Sequence, residues 1–127
     1  MIHLDNAHLE SLGADIATPD YDRGSVTAGI VHVGVGGFHR AHQAMYLDAL
    51  MNRGEALDWG IVGVGVMPGD RRMKEALAAQ DHLYTLVVKH PDGRREARVI
   101  GAMLDYLFAP EDPEAVVERM ADPAIRI

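Results

Sequence analysis

Three glycines within four residues, Gly34, Gly36 and Gly37, are the part of this chain best suited to holding a ligand. They follow a short apolar run, Ile30-Val31-His32-Val33, and precede Phe38-His39-Arg40 at the head of a segment with helical periodicity. A buried strand, a glycine turn and a helix start, in that order, bring backbone N–H groups against a phosphate. In a dinucleotide-binding βαβ unit the first glycine permits the tight turn and the second admits the pyrophosphate. The third lets helix and strand pack closely. Gly34 and Gly36 take the first two positions, the third falls on His39, and Gly37 is an extra glycine inside the turn. A bulky third residue predicts a wider helix–strand separation or a shifted helix start. Glycine turns also serve purely structural ends, so the surroundings must decide.

A second candidate lies after the next apolar run. An acidic residue there hydrogen-bonds the ribose hydroxyls of the adenosine and favours NAD over NADP. Asp70 is in place, although it lies 36 residues beyond Gly34 against the usual ~20 from the motif. The competing reading is that Asp70 only N-caps its helix. Arg71 and Arg72 cut the other way, since an arginine here accepts a 2′-phosphate. His39, Arg40 and His42 form a third cluster, with the two histidines spaced to share a helical face. Metal ligation needs a carboxylate or another histidine aimed at the same point, and none is evident, so no metal site is assigned. A positive first helical turn beside a phosphate is the more economical role, with Arg40 the better candidate. A solvated helix end is the bland alternative. No Ser/His/Asp set or carboxylate pair is identifiable from spacing.

The elements that must position these residues follow from periodicity. Residues 30–35 read as a strand, apolar on both faces apart from His32, as expected in the middle of a parallel sheet. A helix follows from Phe38 or His39 to Arg53, with Ala44, Leu47, Leu50 and Met51 at helical spacing and a stop at Asn52-Arg53-Gly54. Residues 59–66 give a second apolar strand, so the unit is β-turn-α-β with a right-handed crossover. Residues 70–80 read as a helix, and 83–89 and 96–100 as strands joined by the turn His90-Pro91-Asp92-Gly93. Asp112-Pro113-Glu114 is a helix start with Asp as N-cap and Pro at N1. Residues 124–127 begin what reads as another strand. Residues 1–29 form a preamble with one or two helical turns ending near Gly13, and 30–127 are part of a dinucleotide-binding domain. The expected class is α/β, and the chain reads as a fragment of a longer protein.

Bulk properties narrow the partners. With 127 residues, 48% hydrophobic and 24% charged, the chain suits one globular domain. A net charge of −7 argues against non-specific nucleic-acid binding. The absence of cysteine excludes a disulfide framework, a thiolate zinc site and a Cys nucleophile, and fits a reducing cytoplasm. No signal peptide is evident at the start. No apolar run approaches the roughly 20 residues that span a bilayer.

At these residues the chain resembles a known family. The run Val31-His32-Val33-Gly34-Val35-Gly36-Gly37-Phe38-His39-Arg40-Ala41-His42-Gln43 is similar to the N-terminal fingerprint of the mannitol dehydrogenase family, the polyol-specific long-chain dehydrogenases and reductases. The likeness continues through Leu57-Asp58-Trp59-Gly60 and Asp81-His82-Leu83-Tyr84 to Asp122-Pro123-Ala124. His39 at the third position is what that family's pattern shows. The resemblance implies a Rossmann-type NAD-binding domain, mostly a parallel sheet with an inserted β-hairpin, joined in full length to a helical C-terminal domain. It implies metal-independent hydride transfer between NAD and a polyol, such as D-mannitol giving D-fructose, with NADP the lesser alternative. By matching position, Val33, Gly34, Val35, Gly36, Gly37, Phe38, His39 and Arg40 would hold the pyrophosphate, and Asp70 the adenosine ribose. The family's catalytic lysine and its asparagine and histidine partners lie beyond residue 127, so no catalytic residue is assigned here. Lys74 and Lys89 are not candidates for that role. A hexuronate reductase of the fructuronate or tagaturonate type, a nucleotide-binding module without catalysis, and a sensor on a degenerate fold remain the alternatives. The expected partners are a small polyol or ketose and the missing C-terminal domain, not nucleic acid or membrane.

Overall fold

The structure is a computed structural model that describes residues 1–127. Its elements in chain order are β1 (Ile16–Ala17), β2 (Ala28–Val33), α1 (Gly37–Ala41), α2 (Gln43–Met51), β3 (Gly60–Gly65) and α3 (Arg71–Ala78). They continue with β4 (Tyr84–Lys89), β5 (Arg95–Ile100), β6 (Met103–Phe108) and α4 (Pro113–Met120). Two three-stranded sheets result. β2, β3 and β6 lie side by side, all parallel, and β1-β5-β4 forms the second sheet. In that second sheet β4 and β5 are the expected antiparallel hairpin, and β1 adds parallel to β5. The parallel sheet is Rossmann-type, and the hairpin sheet is inserted between α3 and β6.

β3 is the middle strand of its three, and all six of its residues are buried. β2 begins and ends two residues earlier than its apolar run implies, because Val35 leaves the strand and turns inward against β3. A Cβ at Gly63 would sit 2.6 Å from Val35 Cγ2, so this glycine is what lets the turn close onto the sheet. On its other side β2 meets the last residue of the chain. Ile127 N–H donates to the Gly29 carbonyl (3.3 Å), and its carbonyl accepts from Val31 N–H (2.9 Å), a parallel bridge at Ile30. Residues 124–127 therefore lie where the expected strand would start.

Three features depart from the sequence reading. β6 has no counterpart there, because Asp105 interrupts its apolar run. This strand is at the sheet edge, where Asp105 can pair with Arg119 of α4 at 3.0 Å. The single helix expected from Phe38 or His39 to Arg53 is broken at His42, whose backbone lies at φ −122°, ψ −87°. The cause is local: the His42 Nδ1–H donates to the Phe38 carbonyl (2.7 Å), the oxygen its own backbone N–H would otherwise take. That N–H turns to the His39 carbonyl instead (3.3 Å). Third, α3 begins at Arg71, after a 3-10 turn at Pro68–Asp70.

Residues 1–29 pack onto this body. The Arg23 guanidinium donates to the carbonyls of Gly101 (3.0 Å), Met103 (2.9 Å) and Asp81 (3.0 Å), and to Asn6 Oδ1 (2.6 Å). Under α2, the buried Asp48 carboxylate accepts from the Tyr21 hydroxyl (2.6 Å), Gly101 N–H (2.9 Å), Asn52 Nδ2 (3.1 Å) and Arg98 (3.1 Å). Burial and the bond to Asp48 push the Tyr21 hydroxyl pKa far up. The main core lies between α2 and the sheets, with Ile30, Ala44, Met51, Ile61, Ile100 and Ala102 in contact. A second cluster of Val35, Leu77, Met103 and Tyr106 seats α3.

Candidate dinucleotide-binding site

The glycine turn is built from the end of β2. Gly34 N–H still belongs to the sheet, donating to Val64 O at 2.9 Å, and then the chain reverses. Gly34 stands at φ +87°, in the left-handed region that glycine enters without strain. Gly36 is different. As N-cap of α1 it has φ −93°, ψ −177°, extended backbone open to any residue. A Cβ built at Gly36 or Gly37 meets nothing within 4 Å. The fold therefore asks for glycine at 34 and leaves the surface above 36 and 37 bare. The N–H groups of Gly37, Phe38 and His39 at the start of α1 make no hydrogen bond within the chain.

His39 explains how the fold accommodates a bulky third position. Its ring is buried and lies flat on the His32 ring of β2, centroids 3.6 Å apart and planes 11° from parallel. The two rings fill the space between strand and helix. Burial, then the nearby His32 and Arg40, lower the His39 pKa from 6.5 to about 4, so it is neutral at physiological pH. His39 therefore adds no positive charge to the turn, which is left to Arg40 beside it.

A pH dependence follows. On acidification the unfolded chain takes up the His39 proton near pH 6.5, before the folded chain does. The stabilisation is therefore complete above pH 6.5 and is lost progressively as pH falls toward about 4. His39→Phe removes this titration while keeping a flat ring on His32. Its urea midpoint is expected to fall less between pH 7 and pH 4.5 than that of the wild type. Equal falls would remove His39 from the acid response.

The remaining predicted residues are spread around the turn. Val33 and Phe38 are exposed beside it, Phe38 the more so at 80%, and Val35 is buried beneath it. His42 stacks on Phe38 at 4.2 Å, whereas His39 stacks on His32. The chain has no convergence of three metal-ligating side chains. Arg40 reaches the α3 side, 3.5 Å from Val35 O and 3.3 Å from Met73 Sδ. Asp70 stands past the end of β3. Its Oδ2 accepts the N–H groups of Val66 (3.1 Å) and Met67 (3.0 Å) and makes no cap bond to α3. Asp70 thus does not N-cap α3 itself: from the third position of the preceding 3-10 turn it accepts the N–H of Met67, the residue that caps that turn, so it holds the helix start from one residue pair earlier, and Oδ1 is left without a partner in the chain.

A cavity of about 340 Å³ adjoins the turn, lined by His32, Gly34, Gly36, Phe38, His39 and Gln43. His32 and Gln43 were not picked out from the sequence as cofactor residues. His32 was visible as the one polar residue in an apolar strand, and Gln43 sits one helical turn beyond His39. A cavity of similar size under Asn6, Arg23, Asp81 and His82 lies away from the turn, and its arginine is already committed to backbone carbonyls.

A family model described as the mannitol dehydrogenase Rossmann domain matches residues 28–127. The chain belongs to the mannitol dehydrogenase family. It is 55% identical over 112 residues to mannitol 2-dehydrogenase of Cereibacter sphaeroides, covering 88% of this chain and 23% of that one. It is 50% identical over 121 residues to polyol:NADP oxidoreductase of Gluconobacter oxydans, covering 94% and 24%. Among solved structures, Pseudomonas fluorescens mannitol 2-dehydrogenase, in a ternary complex with NAD and D-mannitol, superposes with TM-score 0.95 at 45% identity. That match covers 98% of this chain and 25% of the other. The chain thus spans about a quarter of the length of these mannitol dehydrogenase relatives. No helix in it is long and apolar enough to cross a membrane.

Proposed function

We propose that this chain is the NAD-holding part of a polyol dehydrogenase that interconverts a sugar alcohol and its ketose, of the D-mannitol/D-fructose type. The observation that carries the reading is the bare surface over Gly36 and Gly37. Neither backbone angle nor packing requires glycine at 36, so a group approaching from outside is what a side chain there would obstruct. The pyrophosphate of a dinucleotide is such a group, and the unpaired N–H groups of residues 37–39 are its donors. Gly34 shapes the turn, Val33, Val35, Phe38 and His39 frame it, and Arg40 supplies a nearby positive charge. The free Oδ1 of Asp70 takes the adenosine ribose hydroxyls, and its charge disfavours a 2′-phosphate. When bound, NAD supplies the hydride acceptor; this chain's residues bind and orient it, and the reading gives none of them a proton-transfer role.

Support for the substrate class comes from relatives named for mannitol and polyols. The chain covers about a quarter of the length of these relatives, and we assign the catalytic groups to the part of such a protein that lies outside it. The cysteine-free sequence suits the reducing cytoplasm. Titration of NADH fluorescence tests cofactor binding directly: a folded sample that does not bind NADH overturns the reading. Asp70→Ala is expected to weaken NADH about 10-fold, or ~1.4 kcal/mol, and to leave NADPH unchanged or improved. An equal loss for both cofactors would reduce Asp70 to a clamp on its own turn.

A further inference from the structure

Past Asp70, the ends of β3 and β6 carry a strip of charge that cofactor binding through the glycine turn does not use. Arg71 directly follows Asp70, and its guanidinium lies 4.9 Å from the centroid of the Phe108 ring at the end of β6. Glu111, three residues further on, pairs with Lys74 through one carboxylate oxygen. Its other oxygen lies 4.0 Å from Arg71 Nη1. One carboxylate from the β6 end thus ties down two cations of α3, both within four residues of the predicted ribose ligand. Arginine and lysine at this end of a dinucleotide cleft are the groups that accept a 2′-phosphate. Here they already have an anion.

We infer that Glu111 is a specificity-determining residue: by occupying Arg71 and Lys74 it keeps the adenosine end of the site closed to a 2′-phosphate and so favours NAD over NADP. The inference rests on the proposed dinucleotide reading and adds a second acidic residue to it. Asp70 acts on the ribose hydroxyls themselves, whereas Glu111 acts through the cations. The bond to Lys74, with Arg71 a lesser contributor, holds the Glu111 carboxyl below its ordinary pKa, so the lock is charged throughout the neutral range. Phe108 matters because it holds Arg71 at the strip by cation–π contact once Glu111 is neutralised.

The experiment compares Kd for NADH and NADPH, by nucleotide fluorescence at low and moderate salt, in the wild type, Glu111→Gln, and Glu111→Gln/Arg71→Ala/Lys74→Ala. Circular dichroism checks that each is folded. Glu111→Gln is expected to tighten NADPH about 10-fold with less than a twofold change for NADH. The gain should shrink as salt rises. It should vanish in the triple variant. An unchanged ratio in Glu111→Gln, or a gain that survives removal of both cations, overturns the role of Glu111 while leaving cofactor binding intact. Failure of the folded wild type to bind either nucleotide overturns the dinucleotide reading and this one with it.

Discussion

Asp48→Ala is expected to cost about 3–5 kcal/mol of folding stability, the penalty of removing one partner from a buried ion pair. The Asp48 side chain is 1% exposed and joins four parts of the chain through Tyr21, Asn52, Arg98 and Gly101. Deleting it strands the Arg98 guanidinium, whose Nε already lacks a partner, and the buried Gly101 N–H. An apolar replacement of the whole cluster could be neutral; the cost comes from breaking it on one side. Urea unfolding followed by circular dichroism measures the loss. Asp48→Asn, which keeps the shape and some of the hydrogen bonds, should lose less and remain folded if the alanine variant does not. A loss under about 1 kcal/mol in Asp48→Ala would mean that these contacts are not coupled to folding.

Gly36→Thr should separate binding from folding. Threonine is about as good an N-cap as glycine, the backbone at 36 is extended, and a Cβ there meets no atom of the protein. Thermal unfolding is therefore expected to move by no more than about 2 °C. NADH affinity should fall about 100-fold, or ~2.7 kcal/mol, since the branched side chain stands where the pyrophosphate must approach. A stable variant that still binds NADH at wild-type strength would place the cofactor elsewhere. Gly34→Thr would not give so clean a result, because φ +87° strains any side chain and the fold suffers with the binding.

What could be read from the sequence was whatever is encoded locally. The turn at Gly34, the hairpin around Gly93 and the start of α4 at Asp112 depend on the backbone preferences of a few adjacent residues, and all three occur as expected. β6 was hidden because its edge position tolerates Asp105, which periodicity reads as an interruption. The break at His42 was hidden because a side chain outbids a backbone N–H for one carbonyl, a competition that leaves no trace in hydrophobic spacing. Asp48 reads as one more polar residue on a helix. Its burial becomes meaningful only when Tyr21, Arg98 and Gly101 arrive from remote parts of the chain. The same applies to Glu111, whose partners lie on α3. In the site, the turn at Gly34 was legible because its spacing is local, whereas the part taken by His32 and Gln43 in the cavity beside it was not, because it depends on how α1 and α2 settle on β2.

The stacked rings of His32 and His39 carry a lesson about motifs. A spaced-glycine pattern is usually read as a list of permitted letters, and position 39 then counts as a mismatch. What the third position controls, however, is how a helix rests on the strand before it. In this chain two flat rings form that rest, seven residues apart and face to face. The informative unit is therefore a pair of positions, and neither letter has meaning without the other. A pattern for such chains is better written as a contact than as a string.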